Sequence, residues 1–194
     1  MNKNLRMILF LMITATICTL ILSTANYAFE KASEIFNIRL YKAILDEYEI
    51  PVENEEAIKS TFLENFDKNK IGNTIYYISK TKNKNSVVFK AEGPGLWSRI
   101  EILIAVDANF ENMLWLDVQA QAETPGLGGR ISEEEFQNRF NGVEIRPELK
   151  IVKFASGSNE VDAVTGASMT SNFLEKIINT GIKELDQAFG REKN

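Results

Sequence analysis

Residues 7–25, MILFLMITATICTLILSTA, contain no charged side chain. As a helix this run spans about 28 Å, close to the roughly 30 Å hydrocarbon core of a bilayer. A helix satisfies its own backbone hydrogen bonds, which lipid cannot do, so the run is expected to be a single transmembrane helix. Lys3 and Arg6 precede it. The positive-inside rule then puts residues 1–6 in the cytoplasm and the rest of the chain on the outer face of the cell (inner) membrane. The competing expectation is a cleaved signal peptide ending at Ser23-Thr24-Ala25. The apolar run is long for a signal core, which favours the anchor. Cys18 follows Ile17, where a lipid-attachment site requires a small residue, so Cys18 is expected to be an apolar side chain of the helix.

Beyond the anchor, residues 26–50 carry apolar positions at 29, 32, 35, 36, 40, 44 and 45, near helical period. They are expected to form a helical stalk that Pro51 ends. Residues 51–194 are expected to form one α+β domain with a mainly antiparallel sheet. Residues 54–70 suggest a helix. Residues 73–80, 86–92, 99–107 and 113–121 are β-rich runs between turn signals, with a hairpin loop at 107–112. Residues 131–140 suggest a helix capped by Ser132, with Glu135 three residues on. Residues 149–154 suggest a strand and 155–160 a loop. The last helix is expected over about 171–189, with Phe173, Ile177, Ile178, Ile182, Leu185 and Phe189 as its apolar stripe and Gly190 as its stop.

The totals exclude several chemistries. There is no histidine, which removes the commonest metal ligand and general base. One cysteine allows no intrachain disulfide and no cysteine-rich zinc or iron–sulfur site. The net charge of −5 argues against a nucleic-acid surface. Redox chemistry would therefore have to come from a bound organic cofactor or a partner.

Two glycine-rich segments fall at strand ends: GPGLWS at 93–98 and ETPGLGGR at 123–130. Pro125-Gly126 suits the centre of a type II turn, and Gly128-Gly129 allow close backbone approach. Neither matches a dinucleotide fingerprint or a P-loop. A third segment, DAVTGASMTSNFL at 162–174, crowds Thr165, Ser168, Thr170 and Ser171 beside Asn172 at the expected start of the last helix. One reading is capping, with Asn172 and Glu175 at loose capping-box spacing. The other is a site for an anion, since a glycine turn and a helix start present N–H groups and hydroxyls together. The hydroxyls alone leave both open.

Asp162-x-x-Thr165-Gly166-Ala167-Ser168-x-Thr170 resembles the flavinylation motif Asp-x-x-Ser/Thr-Gly-Ala-Thr/Ser-x-Thr of the FMN-binding domain family. ETPGLG and GPGLW resemble two further segments of that domain. The family includes the C subunit of the Na+-translocating NADH:quinone reductase and the G subunit of the Rnf ferredoxin:NAD+ oxidoreductase; the compact length is more like the latter. The resemblance implies a cofactor, FMN, covalently bound through its phosphate to Thr170 by a flavin transferase. It implies a membrane-anchored electron carrier that works with other subunits of an ion-translocating complex and performs no independent catalysis. Glu123, Thr124 and Leu127 are then candidates for contacts with the flavin ring, and Trp97 for a flanking aromatic. Asp162, Thr165, Gly166, Ala167 and Ser168 belong to the attachment motif, Asp162 as a support for the turn or the transferase. Two plainer alternatives stand beside these: Trp97 as a core residue, and Glu123 as the ion-pair partner of Arg130. An alternative of another class is an anchored, non-redox binding domain that uses its glycine turns for a ligand.

Overall fold

The computed structural model describes residues 2–81 and 85–190. Residue 1 of the expected cytoplasmic segment and residues 82–84 and 191–194 of the expected domain lie outside the described residues. The chain divides into two compact units, one ending at Phe62 and the other beginning at Leu63.

The first unit is dominated by one helix, α1, Lys3–Glu47. The uncharged run and the expected stalk are thus continuous, because no glycine or proline interrupts residues 3–47. The apolar part of α1 is long enough to cross a membrane and is unburied by protein. Thr14, Thr16, Thr19 and Thr24 each return a hydroxyl to a backbone carbonyl of the preceding turn, so their polar groups are satisfied within the helix. Towards its C-terminal end the side chains become buried, including Leu40, Tyr41, Ile44 and Leu45. Tyr41 stacks on Phe62, with ring centroids 4.1 Å apart.

Helix α2, Ile58–Asn65, ends before the expected residue 70, and the chain turns directly into a strand. Five strands then form an antiparallel sheet in sequence order: β1 Phe66–Ile71, β2 Thr74–Ser79, β3 Ser86–Pro94, β4 Arg99–Asp107 and β5 Met113–Ala120. Strand β1 replaces the end of the helix expected over 54–70. Its sequence FDKNKI offers almost no apolar alternation, because it is an edge strand with only Phe66 buried. Charged edge strands of this kind resist pairing with other chains. The expected loop between β4 and β5 is present. The Asp107 carboxylate accepts from Glu111 N at 2.8 Å and Asn112 Nδ2 at 2.9 Å. Burial raises the Asp107 pKa, but these bonds outweigh it and hold the carboxyl below its usual range.

A second, two-stranded sheet pairs β6 Lys150–Val152 with β7 Glu160–Asp162 in parallel. Helix α4, Ser168–Ala188, lies against β3. Its buried side runs through Leu174, Ile177, Ile178, Gly181, Ile182 and Leu185. Phe173, expected in that stripe, is only half-buried, and Leu174 takes the inner position instead; Phe189 is half-buried too but packs against the core, edge-on to Tyr76 and Phe110. Each fully buried Leu or Ile contributes about 1.5–3 kcal/mol, so this face fixes both the helix and the start of its first turn. The expected helix at 131–140 is broken into a 3-10 turn at Gly128–Ser132, a short helix α3 at Glu134–Gln137 and a second 3-10 turn at Asn138–Phe140. Ser132 ends the first turn rather than capping a helix. Phe136 and Phe140 are both buried, and their demand for the core sets this irregular path.

Candidate functional site

Glu123 is the centre on which three distant segments meet. It follows β5 and is 4% exposed. Its Oε1 accepts from Leu96 N at 2.9 Å and Trp97 N at 3.1 Å. Its Oε2 accepts from the Thr170 hydroxyl at 2.6 Å. One carboxylate therefore joins the GPGLWS turn, the ETPGLGGR turn and the first turn of α4. A buried carboxylate is costly unless it is hydrogen-bonded, and here it accepts from three donors. Arg130, the alternative ion-pair partner, instead reaches Glu133 at 3.0 Å.

The local sequence explains why each segment arrives there. Thr124 O accepts from Leu127 N at 3.1 Å, closing a turn over Pro125-Gly126, and Gly126 has φ +73°. That is the type II geometry expected of Pro-Gly. The turn swings Gly128 against Thr170. A Cβ built on Gly128 would lie 2.4 Å from Thr170 Oγ1 and 3.1 Å from Glu123. Only glycine permits that approach. On the other side, Val164 O accepts from Ala167 N at 3.0 Å over Gly166, whose φ is +81°. This turn delivers the chain into α4 at Ser168.

No side chain of the hydroxyl-rich stretch caps α4. The residue preceding α4 is Ala167, and it makes no side-chain cap. Ser168 is the first helical residue and is exposed. Ser171 Oγ accepts from Val164 N at 3.2 Å, tying the turn to the helix. Glu175 accepts from Ile151 N at 2.6 Å and so holds β6 rather than a capping box. Thr170 is 2% exposed and faces Glu123. The Asp162 carboxylate accepts from Ala155 N at 2.6 Å, and its backbone carbonyl accepts from Arg139 at 3.3 Å. Asp162 thus supports the 153–155 bend. Nearby, backbone N–H groups of Ser156 and Gly157 converge on the Glu160 carboxylate and hold its pKa below the usual range.

Apolar side chains flank this polar centre from outside. Trp97 is 70% exposed, so it is not a core residue. Leu96, Leu127 and Met169 are also exposed. Leu127 approaches the Gly166 turn, its Cδ2 3.3 Å from where a Cβ on that glycine would be. Thr124, Thr165 and Gly166 are exposed alongside, and Ala167 is buried. The sequence assigns Met169 no role. Its exposure beside Thr170 follows from the register of α4, which begins three residues earlier than periodicity indicates. Among the described residues no group of His, Cys, Asp and Glu is arranged to hold a metal ion.

These features fit a flavin nucleotide. The first N–H groups of a helix lack intrahelical acceptors and favour an anion, and Ser168, Met169 and Thr170 occupy those positions in α4. The exposed Trp97, Leu96, Leu127 and Met169 provide apolar surface for a planar ring.

Comparison with known proteins agrees with that chemistry. Residues 95–183 match the FMN-binding domain family. The chain is 31% identical over 108 residues to the C subunit of the Na(+)-translocating NADH-quinone reductase of Yersinia pestis, covering 52% of this chain and 41% of that protein. It is 32% identical over 114 residues to the G subunit of the proton-translocating ferredoxin:NAD(+) oxidoreductase complex of Clostridium ljungdahlii, covering 58% of each. The chain thus spans less than two thirds of the length of these relatives. Among solved structures, the C subunit of the Na(+)-translocating NADH-quinone reductase from Parabacteroides distasonis superposes with a TM-score of 0.64 at 20% identity, over 86% of this chain and 97% of that one. NqrC of Shewanella oneidensis gives 0.53 at 23% identity, over 61% and 64%. The α+β fold is shared with both. Over residues 95–183, the chain is thus similar to the FMN-binding domain family.

Proposed function

We propose that this chain is a covalently flavinylated electron carrier within a membrane-bound, ion-translocating oxidoreductase, with FMN joined through its phosphate to Thr170. The observation that carries the reading is the convergence of the three glycine and hydroxyl segments on one buried hydroxyl in the first turn of α4. When bound, the flavin supplies the redox chemistry. The chain's own residues hold and orient it. The first turn of α4 stabilises the phosphodiester by about 0.3–1 kcal/mol. Leu96, Trp97, Leu127 and Met169 present the apolar surface for the ring. Glu123 holds the turns together from beneath, a role different from the ring contact expected of it. Thr124 and Leu127 shape the exposed rim, and Thr165 with Gly166, Ala167 and Ser168 forms the entry to the helix. Tethering keeps the cofactor at an effective concentration of about millimolar order or more.

The proposed complex is of the Rnf type, coupling ferredoxin and NAD+ chemistry to Na+ or H+ transport. The match extends over 58% of the Clostridium ljungdahlii relative and over 41% of the Yersinia pestis one. A quinone-reductase component of the NqrC kind is the second reading, supported by the 31% identity to the Yersinia pestis C subunit. In either, the chain's partners are the other redox subunits and a flavin transferase during maturation. The ion crosses elsewhere, because residues 7–25 offer no charged group within the bilayer. Flavin fluorescence on a denaturing gel tests the reading. Protein made together with a flavin transferase is expected to give a fluorescent band, and a dark band refutes covalent flavinylation.

Residues 7–25 are proposed as a single-pass anchor, with the N-terminus in the cytoplasm and residues 51–194 outside. Protease added to right-side-out vesicles is expected to digest the chain beyond about residue 30. Protection there, with digestion in inverted vesicles, reverses the orientation.

A further inference from the structure

The proposed linkage oxygen is already engaged. Thr170 Oγ1 is buried and donates its hydrogen to Glu123 Oε2 at 2.6 Å. Esterification removes that hydrogen and therefore breaks this bond. The phosphodiester would also bring a negative charge to a carboxylate that three donors currently satisfy, two of them the Leu96 and Trp97 amides. Both difficulties have one resolution, and it concerns where the Thr170 proton goes.

Resting on the reading that Thr170 carries FMN, we propose that Glu123 is the general base for its modification, supplied by the acceptor chain itself. An alcohol is a poor nucleophile until a base takes its proton. The chain contains no histidine, and the carboxylate sits within the 2.6–3.2 Å reach that proton transfer requires. The co-reactant is a flavin nucleotide activated as a pyrophosphate, since direct condensation of a phosphate monoester with an alcohol is uphill in water. Thr170 Oγ1 attacks the flavin-bearing phosphorus. The Oγ–P bond forms as the bridging P–O bond of the pyrophosphate breaks, and the departing nucleoside monophosphate keeps the electron pair. The Thr170 proton passes to Glu123 Oε2. No oxidation or reduction occurs. The product then pairs a phosphodiester anion with a neutral carboxylic acid, which can donate a hydrogen bond back to the ester. The like-charge contact is avoided, and Oε1 still accepts from Leu96 and Trp97.

Glu123→Gln separates this role from a structural one. The amide oxygen can still accept from Leu96 N and Trp97 N, while the amide nitrogen faces Thr170 as a donor and cannot take its proton. Full-length, unmodified protein would be purified in detergent, then incubated with a flavin transferase and flavin adenine dinucleotide, and labelling followed by mass. Hydrogen exchange at Leu96 and Trp97 would report the turn. The expected result is wild-type labelling at Thr170, labelling at least ~100-fold slower in Glu123→Gln, the usual scale for a lost general base, and unchanged protection of the two amides. A variant rate within about threefold of wild type overturns the inference and leaves the flavoprotein reading intact. Slow labelling with lost amide protection also overturns it, by assigning the defect to a collapsed turn. Absence of label on wild-type Thr170 removes the reading itself, and this inference with it.

Discussion

Thr170→Val is expected to abolish covalent flavin completely and, with it, electron transfer through the assembled complex. Valine preserves the branched shape but has no oxygen to esterify. The structure adds a stability cost that a simple cap would not carry. The lost hydroxyl leaves Glu123 Oε2 buried without its donor, and such an orphaned group costs about 1–3 kcal/mol. A lower unfolding midpoint with a native-like spectrum is therefore expected beside the dark gel band. Thr170→Ser keeps the hydroxyl and the bond to Glu123, so its stability should stay near wild type, with partial labelling. Ser171→Ala is the matched control. It removes the acceptor for Val164 N, 3.2 Å away, and so loosens the turn while leaving Thr170 in place. It should lose stability and keep its flavin. Mass spectrometry of the peptide spanning 154–176 decides the site. An adduct on Ser168 or Ser171 would move the linkage away from Thr170.

How far the sequence discloses this site depends on how local each interaction is. The Pro125-Gly126 turn is legible because its geometry is dictated by two adjacent residues, and Gly126 takes the expected positive φ. The sheet is legible where alternation reflects burial, as in β3 and β4. It is not legible at β1, where an exposed edge leaves a polar sequence. Tertiary demand overrides local preference at 131–140, where Phe136 and Phe140 must both reach the core. The start of α4 is misplaced by periodicity because Ser168 and Thr170 resemble residues outside a helix, whereas Thr170 directs its hydroxyl to Glu123. The link between Glu123 and Thr170 spans 47 residues. No periodicity signals it. The clue in the sequence is Gly128-Gly129, a pair that allows close backbone approach; the structure assigns that use to Gly128.

Gly128→Val is expected to cause the second largest loss, and Gly126→Ala shows why position matters more than residue type. At Gly128 the added Cβ would meet Thr170 Oγ1 at 2.4 Å and Glu123 at 3.1 Å. Thr170 is a short side chain fixed on the first turn of a helix whose inner face is fully packed, so it cannot swing aside. Either the 124–129 turn or the start of α4 must move. Overpacking of this kind costs about 1–3 kcal/mol, and it falls on the very oxygen proposed for esterification. Stability and labelling should therefore both drop. At Gly126 nothing lies within 4 Å of an added Cβ, but φ is +73°. Alanine there pays only the backbone cost of the left-handed region, roughly 1–2 kcal/mol, on the exposed side of the turn. The two variants should thus be destabilised to a similar degree, with labelling retained in Gly126→Ala and lost in Gly128→Val. Thermal unfolding and flavin incorporation measured on the same preparations provide the comparison. Equal labelling of both would mean that the contact between Gly128 and Thr170 does not govern access to the hydroxyl, and that the ETPGLGGR turn serves the site only from a distance.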